Sequence, residues 1–250
     1  MKHNIKICDK NDLEKMRKAG RFAKMVLDYI EPYIKIDITT DELNTLCHDF
    51  IVSHGAVSAT LNYNGFPKSI CTSVNDVICH GIPGKYALKS GDIINVDVTV
   101  ILDGWHGDTS RTFLVGNCSK LAQNLIEIAK RSLFIGIDAV KPYGHFGDIG
   151  KAIQKFVDKY GFSIVRDYCG HGIGNIFHSA PNVLHYDAGE KGPQILPGMF
   201  FTIEPMINAG SHKSKLLKDG WTVTTTDKSL SAQFEHTIAV GEDFVEVLTL

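Results

Sequence analysis

The 250-residue sequence predicts an α+β fold in which one order of elements occurs twice. Three observations carry this reading. Two amphipathic helices followed by strand patterns occur in the first part of the chain, and two more followed by strands occur in the second. Phe50-Ile51 followed by Gly55 matches Phe156-Val157 followed by Gly161 at the same offset. No Ser-, Pro- or Gly-rich linker separates the halves, so residues 1–250 are expected to form one domain, with pseudo-twofold halves at about 11–115 and 118–240.

The first helix spans 11–34, with Leu13, Met16, Ala19, Ala23, Val26, Leu27 and Ile30 on one stripe and Pro32 near its end. Thr39 and Glu42 form a capping-box pattern that opens a second helix. It turns Leu43, Leu46, Cys47, Phe50 and Ile51 inward and stops at Gly55. Residues 57–63 and 69–80 read as short strands, interrupted by Asn64-Gly65 and Asn75-Asp76, and Pro83-Gly84 closes the segment. Ser119 caps a third helix bearing Leu121, Leu125, Ile128, Ala129 and Leu133. A fourth, over roughly 148–160, carries Ile149, Ala152, Ile153, Phe156 and Val157.

At the end of the first half, residues 94–109 read as a β-hairpin turning at Asp103-Gly104. Ile94, Val96, Val98 and Val100 share one face; Asn95, Asp97 and Thr99 share the other. Counting back from Leu102 opposite Trp105 sets Thr99 opposite Asp108, with Asp97 diagonal to Asp108 on the same face. Diagonal neighbours lie roughly 7–8 Å apart, closer at the side-chain tips. Two carboxylates in one space repel unless a cation or a shared proton lies between them.

Two further strand candidates, Gly198–Asn208 and Ala232–Val240, each hold one acid among apolar residues, Glu204 and Glu235, with no Lys or Arg close by. The segment Tyr168-Cys169-Gly170-His171-Gly172-Ile173-Gly174 fits neither a dinucleotide fingerprint nor a phosphate loop, and its glycines allow close approach to His171. Asp97, Asp108, His171, Glu204 and Glu235 together make a set that is hard to bury as a structural network, because four negative charges need four partners. Two divalent cations balance them, and oxygen-rich ligation with one nitrogen suits manganese, iron(II), cobalt or zinc.

Composition excludes other classes. A formal charge of −2 with scattered Lys and Arg gives no nucleic-acid footprint. Met1-Lys2-His3-Asn4-Ile5-Lys6 lacks the apolar core of a signal peptide, and no apolar run approaches the ~18 residues of a membrane span. The six cysteines show no Cys-x-x-Cys spacing, which argues for a reducing, cytoplasmic compartment. A thiol hydrolase using Cys79 and His80 fails because neighbours on a strand point to opposite faces.

The chain resembles the type I methionine aminopeptidases of the pita-bread metallohydrolases. The resemblance rests on the ligand order Asp97, Asp108, His171, Glu204, Glu235 and on the segment from Tyr168 to Tyr186 that includes His178 and His185. Cys79-His80-Gly81-Ile82-Pro83, Asn95-x-Asp97 and Gly107-Asp108-Thr109 add to it. The resemblance implies a creatinase/aminopeptidase-like fold, a curved antiparallel sheet flanked by helices. It implies removal of the N-terminal methionine from nascent proteins when the second residue is small, with a hydroxide between two metals attacking the first peptide bond. Asp108 and Glu235 would bridge the metals, Glu204 would also shuttle a proton, and His80 and His178 would touch substrate. The methionine pocket maps onto Thr60, Tyr63, Phe66, Cys71, Phe177 and Trp221, with Thr60 and Phe66 in place of a common Cys and Tyr. A monovalent cation would sit on the backbone near Asn75, Val77 and Ser231. The expected partners are nascent N-termini near the ribosome, with no direct nucleic-acid contact and no membrane, and the expected state is a monomer.

Two rivals share this resemblance. A proline-specific dipeptidase has the same ligands, and the pocket and the missing N-terminal domain argue against it; the 25 residues between His178 and Glu204 leave no room for the helical insertion of type II enzymes. An inactive binding module on this fold would have lost ligands, and all five stand.

Overall fold

Asp9 opens α1 (Lys10–Ile30): its side chain accepts from the Asn11 and Asp12 amides, and Asp12 caps back onto the Asp9 amide. Pro32 then tightens residues Glu31–Tyr33 into a 3-10 turn, so the helix stops at Ile30 rather than running to 34. Thr39 and Glu42 cap α2 (Thr40–Ser53) reciprocally. This computed structural model describes residues 5–250; residues 1–4, read above for a leader segment, lie outside them.

The strands that follow are β1 (Val57–Ser58), β2 (Cys71–Val74), β3 (Val77–Cys79), β4 (Ile93–Leu102) and β5 (Trp105–Leu114). Ser119 caps α3 (Lys120–Asp138), and α4 spans Phe146–Val157. Then come β6 (Ser163–Ile164), β7 (Gly170–Gly172), β8 (Ser179–Val183), β9 (Phe200–Ile203), β10 (Met206–Asn208), β11 (Ser214–Leu216) and β12 (Val223–Thr225). The last are β13 (Ser231–Gln233), β14 (His236–Val240) and β15 (Val245–Val247). Every strand pair among the described residues is antiparallel.

The β4–β5 hairpin has the register read from sequence: Leu102 pairs with Trp105, Thr99 with Asp108, Asp97 with Ser110. Asp103 and Gly104 both take positive φ, 51° and 80°, as a tight turn whose twist matches the strands requires. Ile94, Val96, Val98 and Val100 are fully buried with α1 and α2 residues in one apolar cluster. Each such burial contributes about 1.5–3 kcal/mol. A second cluster joins α3 and α4 to Phe201, Ile203, Ile207 and Ile238 of the later strands. The apolar faces thus point outward to the helices, and the polar faces of the strands turn toward each other.

Several expectations need correction. The segment 57–63 is a strand only at Val57–Ser58, because Asn62 (φ 67°) and Asn64 (φ 47°) adopt left-handed backbone that no ladder accommodates. Asn75, at φ 54°, likewise divides β2 from β3. Leu121 is half exposed, since Ala122 and Leu125 define the inward stripe of α3. Gly198–Asn208 and Ala232–Val240 are each broken in two, at Glu204-Pro205 and at Phe234-Glu235. Pro205 has no N–H for a ladder. The Glu235 amide instead donates to the Ser110 carbonyl at 3.1 Å.

Helix α1 crosses the hairpin at Gly107, where a Cβ would overlap the Ala19 carbonyl. Main chains must separate to admit a methyl there. Gly107→Ala should therefore destabilise the protein by about 1–3 kcal/mol, as overpacking does. Urea unfolding followed by circular dichroism measures this, and an unchanged midpoint would show that α1 does not press on the hairpin.

Candidate metal centre

Cross-strand pairing assembles a row of side chains. Cys71 pairs with Asp97, Asp97 with Ser110, and Ser110 with Glu235. The row continues to Glu204, because Ile203↔His236 on one side of the break and Met206↔Gln233 on the other keep a single register, which sets Glu204 opposite Glu235. Asp108 lies two residues from Ser110 and so shares its face. His171 enters from β7, whose Gly172 pairs with Phe201, and its amide donates to Thr202 Oγ1 at 3.0 Å. The flanking glycines permit this. A Cβ at Gly170 would strike the Thr202 carbonyl, and one at Gly172 the Ala180 carbonyl.

All five predicted ligand residues line one cavity of about 560 Å³. Asp108 and Glu235 are 3% exposed and His171 9%, so all three are buried. One ligand atom each from Asp108, His171 and Glu235 falls within 4.8 Å of the others. His171 Nε2 lies 3.6 Å from Asp108 Oδ2 and 3.6 Å from Glu204 Oε1. Its Nδ1 faces the Gly172 carbonyl at 3.2 Å and must donate to it, so Nε2 presents a lone pair to two carboxylate oxygens. Asp97 Oδ1 is buried with no hydrogen-bond partner among the described residues. Asp97 Oδ1 without a donor and a His171 Nε2 lone pair facing two carboxylate oxygens are what a cation would resolve, and this donor set fits divalent transition-metal ions.

Surrounding groups aim the carboxylates. Thr99 Oγ1 donates to Asp108 Oδ1 at 2.8 Å. Thr202 Oγ1 donates to Glu204 Oε1 at 2.7 Å, and Gln233 Nε2 to Oε2 at 3.2 Å. Thr202 and Gln233 each lie two residues before a ligand and so share its face, a period-2 signal that sequence reasoning passed over. Burial pushes Asp97 up to about 7 and Glu204 up to about 8. It pushes Asp108 and Glu235 well above the usual carboxylate range, and the neighbouring carboxylates add to the effect. Burial also holds His171 down, at about 4. Cations bound there must displace those protons.

The expected substrate residues line the same cavity: His80, His178, Thr60, Tyr63, Phe66, Cys71, Phe177 and Trp221. Phe66 meets Trp221 edge to face at 5.2 Å, and Tyr63 leans on Phe177 at 4.8 Å. Thr60 donates its hydroxyl to the Ser69 carbonyl at 2.6 Å, which leaves the pocket wall apolar. His80 sits in left-handed backbone at φ 55°. His178 stacks on Phe177 and meets the Tyr63 hydroxyl through Nδ1 at 2.9 Å. Burial and the Glu204 and Asp97 carboxylates push the Cys79 thiol well up, so it is no nucleophile. Asn75 and Val77 lie elsewhere, on a cavity of about 410 Å³, where the Asn75 carbonyl accepts the Ser231 amide at 2.9 Å.

A fold of this kind around such a centre defines a metallopeptidase, and the model of metallopeptidase family M24 matches residues 14–242. A curated relative, methionine aminopeptidase A of Synechocystis, is 56% identical over 251 residues, covering 100% of this chain and 99% of its own. The crystal structure of methionine aminopeptidase from Rickettsia prowazekii superposes with a TM-score of 0.97 at 55% identity, covering 98% of this chain and 100% of that one. Prolidase from Pyrococcus furiosus shares the pita-bread fold alone: TM-score 0.76, 20% identity, 98% of this chain and 65% of that chain. The chain belongs to metallopeptidase family M24, and within it to the methionine aminopeptidases.

A Glu235 carboxylate oxygen lies within 4.8 Å of ligand atoms of Asp108 and His171, where it could hold a cation with them. Glu235→Ala should lower bound cobalt or manganese, measured by metal analysis after equilibrium dialysis, as well as rate. Metal content equal to that of the unaltered protein would remove Glu235 from the ligand set.

Proposed function

We propose that this enzyme hydrolyses the first peptide bond of nascent polypeptides beginning with methionine when the second residue is small. The observation that carries this is the continuity of one cavity, with an aromatic pocket against a floor of four carboxylates and a bare imidazole nitrogen. Asp97, Asp108, His171, Glu204 and Glu235 would hold two divalent ions of cobalt, manganese, iron(II) or zinc, with Asp108 and Glu235 serving both. Bound there, such ions supply Lewis acidity and a hydroxide at neutral pH.

The protein's own groups do the rest. Tyr63, Phe66, Cys71, Phe177 and Trp221, with Thr60, enclose the methionine side chain, and thioether–aromatic contact contributes ~0.3–1.5 kcal/mol. With the Tyr63 hydroxyl donating to His178 Nδ1, the ring hydrogen of His178 sits on Nε2, free to donate to the peptide carbonyl as it gains negative charge. Glu204 carries a proton to the departing amine, and His80 steadies the substrate. A backbone site at Asn75, Val77 and Ser231 takes a monovalent cation. The whole chain acts as a single catalytic domain of two pseudo-twofold halves, as a monomer, on chains emerging near the ribosome in the cytoplasm. Six free cysteines support a reducing compartment.

The pocket predicts selectivity. Met-Ala peptides should be cleaved at least about 10-fold faster, in kcat/KM, than Leu-Ala or Ala-Ala peptides, since a misfit methylene is worth about 1–3 kcal/mol. Met followed by Lys or Phe should be a poor substrate. Equal rates across the series refute the assignment.

The two histidines of one segment should separate cleanly. His178→Ala should keep its metal and lose about 10²–10³ in kcat with a smaller change in KM, whereas His171→Ala should bind metal poorly. Metal stoichiometry beside steady-state kinetics measures both. Metal loss in His178→Ala, or full activity, contradicts the role given to it.

A further inference from the structure

His185 belongs to the histidine segment of the sequence but has no part in the chemistry above. Its side chain is 1% exposed. Its Nε2 accepts the Glu204 backbone amide at 3.0 Å. A ring nitrogen that receives an N–H carries no hydrogen of its own, so the ring hydrogen sits on Nδ1. That Nδ1 is buried with no partner among the described residues. An apolar side chain of similar size would avoid this cost, so its retention asks for a reason.

The reason lies in the strand break. Ile203↔His236 is the last pair on β9, and the next residue but one is Pro205, so the Glu204 amide has no ladder partner. It would otherwise be an orphaned donor at the metal centre. The His185 backbone is itself fixed: the Leu184 and Tyr186 carbonyls press so closely on Gly150 of α4 that a Cβ there would overlap the Tyr186 carbonyl. The other polar groups of Glu204 are held by Thr202 at Oε1 and by Gln233 at Oε2 and at the main-chain carbonyl. The amide taken by His185 completes the set.

We propose that His185 is a positioning residue for Glu204: its Nε2 anchors the main chain at the strand break, so that the carboxylate is aimed at the cation before the cation arrives. The inference rests on the reading of Glu204 as a metal ligand. Outer partners of this kind typically change metal affinity or activity by 10–100-fold.

The test uses the full-length protein stripped of metal, titrated calorimetrically with Co(II), followed by kcat and KM at saturating Co(II). His185→Leu should weaken Co(II) binding about 10–100-fold and lower kcat, with KM within about threefold. His185→Gln, whose amide oxygen reaches the Nε2 position, should restore most of both. His185→Asn reaches only the Nδ1 position and should behave as His185→Leu does, which keeps the test intact if the leucine variant does not fold. Unchanged Co(II) affinity in His185→Leu or His185→Asn, or equal damage in His185→Gln, overturns the proposal. Glu204→Gln serves as the control. If it binds Co(II) normally, the ligand reading fails; if it is impaired while the His185 variants are not, only the role of His185 fails.

Discussion

Mutual repulsion among Asp97, Asp108, Glu204 and Glu235 is the constraint around which the rest of the molecule is arranged. Like charges in a buried space are costly, and among the described residues neither Lys nor Arg lines the cavity to offset them. The fold brings them together regardless, through a row of cross-strand partners that runs from β2 to the break in β9–β10. Two apolar clusters hold the sheets in place from the outside, and so supply the stability against which the acidic floor is assembled. Divalent cations held there would convert the repulsion into coordination.

The same interior serves recognition. The carboxylates and His171 occupy one part of the cavity, and the rings of Tyr63, Phe66, Phe177 and Trp221 enclose another. The Thr60 hydroxyl is engaged by the Ser69 carbonyl, and Phe66 is 2% exposed and meets Trp221 edge to face. The contact between His178 and Tyr63 ties the histidine segment to the aromatic wall of the cavity.

Much of this was legible in the sequence where the signal is local. The hairpin register followed from Asp103-Gly104 and strand alternation, and the start of the second helix from its Thr39/Glu42 capping box. The carboxylate cluster that lines the cavity followed from acids placed among apolar residues without basic partners. What escaped was decided by distant contacts. Glu204 and Glu235 read as strand residues, yet each lies at a break set by its partners, the Glu235 amide on Ser110 and the Glu204 amide on His185. Residues 59–63 have the composition of a strand but are turned by left-handed asparagines, one of them tied into a turn by the bond from the Asn62 amide to the Phe66 carbonyl. The second cavity at Asn75 and Val77 leaves almost no trace in side-chain chemistry, because carbonyls are common to every residue.

The most direct test of the central claim is the position of bound metal in the crystal. Crystals grown anaerobically with Mn(II), measured on either side of the manganese absorption edge, should give two anomalous peaks among Asp97, Asp108, His171, Glu204 and Glu235. Peaks confined to other sites, or none among these five residues at saturating Mn(II), would contradict the account.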